Sequence, residues 1–263
     1  YAARAAGQLE TKIRELGPDQ VMAFVAEPVV GATAGVVPAV AGYFKLIREI
    51  CNRHGVLLIM DEIMCGMGRT GTLHASTQEG VTGDIQVVAK GLGGGYQPVS
   101  ALLTSAKVIE VIAKGTGAFI HGHTYMGHPM AAAAALAVQE TIAAENLLAN
   151  VRERGAQMVA SLNSRFSDSP FIGDIRGRGL FIGLELVQDR ITREPFDPSM
   201  NLAARLKARA MENGLMIYPG SGTIDGTSGD HILLAPAYIL TSQEVDEIVD
   251  RLGQTIDDVL GAT

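Results

Sequence analysis

Several things are scarce in this sequence, and each scarcity closes a door. There is no dense Lys/Arg run and no basic tract interleaved with aromatics, and the formal net charge is −7. A phosphate backbone has no electrostatic footprint here, so no nucleic-acid partner is expected. The two cysteines, Cys51 and Cys65, form no CxxC pair, and Cys51 falls in a helical pattern where a small buried hydrophobe would serve. A reducing, cytoplasmic setting is expected. No apolar run approaches the roughly 18–20 residues needed to span a bilayer, and no basic-then-apolar signal segment opens the chain, so no membrane association is expected. The dipeptide Gly-Lys occurs nowhere. A phosphate loop ending in Gly-Lys-Ser/Thr is therefore absent from these residues.

What remains is ordinary globular chemistry. The 263 residues are 47% apolar and 19% charged, enough for one large α/β domain or two modest ones. Tyr1 already lies in a helix-like pattern (Leu9, Ile13, Leu16) closed by Gly17 and Pro18. The expectation is a chain that starts further upstream, of which this is the C-terminal part.

The first half alternates strand and helix signals. Residues 21–30, "VMAFVAEPVV", read as a strand, and Val40, Tyr43, Phe44, Ile47, Ile50 and Cys51 recur at helical spacing before a stop at Gly55. Strands follow at 56–60, 84–90 and 99–105, then an alanine-rich helix after Pro129. Near-continuous apolar strands alternating with helices predict a parallel or mostly parallel sheet with helices on both faces. The character changes near residue 145. A helix over about 147–166 leads to a hairpin at 171–187 joined at Gly177–Gly179, a helix spans about 200–213, and short strands follow at 215–219 and 231–236. A last helix starts at Thr241, with Glu244 in capping-box position. The expected organisation is an α/β domain over 1–145, the C-terminal part of a larger cofactor-binding domain, and a small α+β domain over 146–263.

The stretch "VLLIMDE" (56–62) is a buried strand that ends on two acids, at the sheet edge where open α/β sheets bind ligands. Lys90 likewise ends the apolar strand 85–89 and is followed by Gly91, Gly93, Gly94 and Gly95. "KGLGGGY" lacks the spacing of a dinucleotide fingerprint, but it leaves room for a flat ring. A lysine acting as an amine nucleophile and a carboxylate that keeps a pyridine nitrogen protonated are the two poles such a ring needs, and Lys90 and Asp61 can supply them. Taken singly, a strand-end Asp often serves only as an N-cap and a strand-end Lys only as a solvated charge; the pair in one sheet is the stronger signal.

The ordered set "AEPVVG" (26–31), "LLIMDEIMCGMGRTG" (57–71), "AKGLGGGYQP" (89–98) and "HGHTYMGHP" (121–129) resembles the class III aminotransferases, enzymes dependent on pyridoxal 5′-phosphate. The resemblance runs from about residue 20 to the C-terminus. It implies fold type I, with Asp61 pairing with the pyridine nitrogen, Ile63 packing on the ring, and Lys90 bonding the cofactor and shuttling a proton. It implies that Thr124 binds the cofactor phosphate of the neighbouring subunit in a homodimer, and that Glu27 lies in the substrate and cofactor region, its alternative being a strand-end acid satisfied by backbone. Small-molecule amines and oxo acids would be the partners.

Three departures qualify the substrate. Met64 stands where the family often has a glutamine. "GATAG" (31–35) lacks the glutamate that ornithine and 4-aminobutyrate enzymes carry there. Leu233 stands where many members place an arginine for an α-carboxylate. The family's phosphate-binding turn and ring-stacking aromatic would precede Tyr1. The expected activity is amino transfer from an amine or ω-amino acid to an oxo acid such as pyruvate, by a ping-pong Schiff-base route. The alternatives are aminomutase or decarboxylase chemistry on the same scaffold, or a catalytically silent fragment. His121, His123 and His128 come without an acid or cysteine beside them, so no metal is expected. Arg176 and Arg178 read either as an anion site or as a solvated edge.

Overall fold

The computed structural model describes residues 1–261. In chain order the elements are α1 (Ala2–Leu16), β1 (Ala23–Ala26), β2 (Val29–Val30), β3 (Val37–Pro38), α2 (Tyr43–His54), β4 (Leu57–Asp61), α3 (Ser76–Glu79), β5 (Ile85–Val88), β6 (Ala101–Thr104), α4 (Ala106–Lys114) and α5 (Pro129–Ala144). They continue with α6 (Leu147–Arg165), β7 (Ile172–Arg178), β8 (Phe181–Leu186), α7 (Leu202–Glu212), β9 (Tyr218–Ser221), β10 (Asp230–Leu234) and α8 (Ser242–Leu260). Two compact units divide them: residues 1–28, 39–68 and 72–146 form the first, and residues 29–38, 69–71 and 147 onward form the second.

The first unit carries a sheet in the order β1-β4-β5-β6. β1, β4 and β5 run parallel, and β6 returns antiparallel on β5. Strand β4 alternates, with Leu58 and Met60 buried and Leu57, Ile59 and Asp61 half-buried. Its buried side joins Ala6 and Ile13 of α1 and Phe44, Ile47, Ile50 and Cys51 of α2 in one apolar cluster. Helix α2 stops where Gly55 turns left-handed at φ 70° and gives its N–H to the Cys51 carbonyl, a conformation glycine adopts without the Cβ clash.

The second unit is an antiparallel sheet in the order β7-β8-β10-β9, with α6, α7 and α8 contributing Val151, Met158, Leu162, Leu206, Val249 and Leu252 to its core. Thr241 and Glu244 close the expected capping box at the start of α8. The Gly31–Val36 segment, carried by the short ribbon β2–β3, lies on the sheet so closely that a Cβ at Gly183 would overlap the Gly35 carbonyl.

Differences from the expected elements have local causes. Residues 21–30 are two strands, because Pro28 offers no N–H to a ladder and the chain leaves the first sheet there. The helical spacing noted from Val40 begins only at Tyr43, and Val40 is exposed. The ninth strand lies at 218–221 rather than 215–219, set by its ladder with β10.

Candidate active site

The parallel register brings the carboxyl ends of β1, β4 and β5 to one edge. Ala26 pairs with Met60 and Asp61 with Val87, so Glu27 follows next to Asp61 and Lys90 emerges just beyond β5. This is the edge where parallel sheets collect ligand-binding side chains.

Lys90 sits at φ +46°, a left-handed conformation uncommon for a residue with a Cβ and one that clusters at functional sites. It opens a single tight turn in which Gly93 N–H donates to the Lys90 carbonyl at 3.1 Å. Its side chain is exposed and lines an open depression of about 650 Å³ with Gly95, Gln97, Pro98, Val99 and Ser100. A Cβ at Gly95 would meet nothing within 4 Å, whereas one at Gly93 would press on Val99 and one at Gly94 on Val138, so of these three glycines only Gly95 borders open space.

Asp61 is half-buried, and its Oδ1 accepts the Ile63 N–H at 3.0 Å. That bond bends the chain over Glu62, whose side chain points the other way and is fully buried. The Glu62 carboxylate accepts from Ala75 N–H at 3.0 Å, Ser76 N–H at 2.7 Å and His74 Nδ1 at 3.2 Å. Burial pushes its pKa up, but the hydrogen bonds from His74, Ser76 and Ala75 outweigh burial and hold it below the usual carboxylate range. Gly66 is glycine because a Cβ there would strike Glu62.

The other residues singled out from the sequence fall elsewhere. Thr124 is exposed in a turn over residues 124–127, and His121 and His123 meet edge to face at 5.2 Å. Leu233 is 4% exposed on β10, paired with Gly183 and Tyr218, and offers nothing to a carboxylate. Arg176 proves neither a solvated edge nor an open anion site. Its Nε donates to the Gly35 and Val36 carbonyls at 3.0 and 3.1 Å, its Nη2 to the Ala34 carbonyl at 3.1 Å, and its Nη1 pairs with Glu185 at 2.5 Å. It clamps the "GATAG" segment. Arg69 is another internal clamp that spacing does not disclose: it donates to the Leu180 and Pro236 carbonyls at 3.1 and 2.6 Å and stacks 4.6 Å over Tyr238. His74 and Gln86, which complete the surroundings of Glu62, carry no motif signal.

Comparison with known proteins shows the family and the fold. The family model "Aminotransferase class-III" matches residues 2–256. An aminotransferase of Gibberella zeae is 46% identical over 99% of this chain and 51% of its own length. An uncharacterised aminotransferase of Schizosaccharomyces pombe is 47% identical over 100% of this chain and 57% of its own. Among solved structures, a thermostable (S)-enantioselective omega-transaminase from Thermomicrobium roseum superposes with a TM-score of 0.90 at 35% identity, over 98% of this chain and 56% of that one. The chain belongs to the class III aminotransferase family and has the fold of its transaminases. It spans about half the length of the curated relatives it matches.

Proposed function

We propose that the protein containing this chain is a pyridoxal-phosphate-dependent aminotransferase that moves an amino group from an amine or ω-amino acid to an oxo acid such as pyruvate. The observation that carries the reading is the placement of Asp61 and Lys90 at the ends of two adjacent parallel strands, with an open depression lined by Lys90 and Gly95. The donor set fits the cofactor: a carboxylate for a ring nitrogen and an amine for an aldehyde, at the ends of neighbouring strands. When bound, pyridoxal phosphate supplies that aldehyde and an electron-withdrawing ring.

Each residue then has a defined task. Asp61 holds the proton on the ring nitrogen, Ile63 packs on the ring, and Lys90 Nζ tethers the group. Lys90 Nζ, released by the incoming amine, takes the proton from the amine-bearing carbon and returns it on the other side of the reaction. Glu27, neighbouring Asp61 on the same edge, faces the substrate. The buried Leu233 and the absence of an acid in "GATAG" favour a donor without an α-carboxylate.

The same reading makes the protein a homodimer in which Thr124 binds the phosphate in the partner subunit's site. Its support is the surface around Thr124, where Phe119, Ile120, Tyr125 and Met126 are all exposed, an apolar patch of the kind that marks an interface. It places the cofactor domain in residues 1–145 and the small domain in residues 146–263. A cytoplasmic setting fits two buried cysteines that form no disulfide, and among the described residues no helix is long and apolar enough to cross a membrane.

Lys90→Ala tests the assignment. In the complete protein it should abolish covalent cofactor attachment, read as intact mass after borohydride reduction, and lower kcat by about three orders of magnitude or more. Full transamination by that variant would sink the reading.

A further inference from the structure

Glu62 is joined to its surroundings on every side. Its N–H donates to Val87 O at 2.9 Å, extending the β4–β5 ladder, and its carbonyl accepts from Gly66 N–H at 2.9 Å. Its carboxylate holds the backbone of Ala75 and Ser76 and the imidazole of His74. Gln86, buried on β5, bonds His74 Nδ1 at 3.1 Å and Ser76 Oγ at 2.9 Å. Gln86 is the register partner of Met60 and stands four residues before Lys90. A buried carboxylate only accepts, so His74 Nδ1 carries the proton shared with Glu62, while Gln86 Nε2 lies beside the ring and donates to Ser76 Oγ.

Two elements are thereby tied by one network. Glu62 cannot turn without breaking bonds at Val87 through its N–H, Gly66 through its carbonyl and Ser76 through its carboxylate, and it is the residue directly after Asp61. β5 cannot slide along β4 without moving Gln86 off Ser76 and away from His74. We propose that Glu62, His74 and Gln86 are positioning residues that set the separation and orientation of Asp61 and Lys90 at the ends of β4 and β5. The inference rests on the aminotransferase reading. Its physical basis is that a displacement of about 1 Å at a reacting group costs up to about 100-fold in rate, and that buried polar networks hold such positions only when complete.

The test uses the complete protein with pyridoxal phosphate. His74→Phe keeps a flat ring but removes the donor; it should raise the cofactor dissociation constant and lower kcat, each by about tenfold or more, while the KM for the amino donor stays within about twofold. His74→Asn, whose amide N–H can reach Glu62, should recover most of both. Gln86→Met keeps the volume on β5 and should reproduce the loss, and it decides the matter if His74→Phe does not fold. The inference is overturned if these variants lower only the melting temperature of the cofactor-free protein and leave cofactor affinity and kcat unchanged, or if Asn does no better than Phe. A parent protein that binds no pyridoxal phosphate overturns the aminotransferase reading and this inference together. A parent that binds it, beside unaffected variants, overturns this inference alone.

Discussion

His231 shows how much one residue can depend on its surroundings. The ring is 1% exposed, and neither nitrogen has a hydrogen-bond partner among the described residues. It lies in a slot made by two glycines, since a Cβ at Gly35 or at Gly220 would overlap it. Burial, then the nearby Arg176 guanidinium, pull its pKa below the ordinary 6.5, against the opposing pull of Glu185 and Asp230. The unfolded imidazole therefore takes up a proton at a higher pH than the folded one. Stability is complete above 6.5 and falls as pH drops from there through the folded value. Thermal melts of the parent and of His231→Leu at neutral and mildly acid pH check this. The variant should lose less of its melting temperature on acidification, and equal losses would show that His231 does not carry the effect.

At the scale of elements, the contacts that matter most are those where backbone meets backbone. Gly155 lies in the buried face of α6 against the turn between β7 and β8, where a Cβ would run into the Gly179 backbone. In a helix interior alanine ordinarily gains about 1 kcal/mol over glycine, so propensity alone predicts that Gly155→Ala stabilises. The overlap reverses the sign. The obstacle is backbone rather than a movable side chain, and overpacking of this kind costs about 1–3 kcal/mol. Chemical denaturation of Gly155→Ala should show a net loss, and a gain would mean that helix and hairpin separate freely. The α6 pattern of apolar residues was legible in the sequence. The demand for glycine at its centre was not, because it comes from a turn much later in the chain.

For the whole molecule, the proposed homodimer, with its active site shared between subunits, makes a prediction that no single subunit can satisfy. A site using Lys90 from one chain and Thr124 from the partner subunit fails in a Lys90→Ala homodimer and is weakened in a Thr124→Ala homodimer. Refolded together, half of the dimers are mixed, and each mixed dimer has one intact site, so roughly a quarter of the parental sites return. Activity and retained cofactor in the mixture measure this directly. A mixture no better than the average of its components would show that Thr124 serves its own chain or none.

Local features were readable from residue order alone: apolar strands ending on Asp61 and Lys90, the glycines after the lysine, the helices marked by period and caps, and the motif order that the family match over residues 2–256 bears out. Each is written within a few consecutive residues, as an alternation, a stop or a cap. Only folding gave the remaining polar residues their roles. Glu62 reaches Ser76 across 14 positions and Arg176 reaches Gly35 across 141, and residues 29–38 and 69–71 join the second unit although their neighbours belong to the first. A buried charge is defined by the partner that offsets its desolvation, and that partner is chosen by the fold rather than by sequence distance.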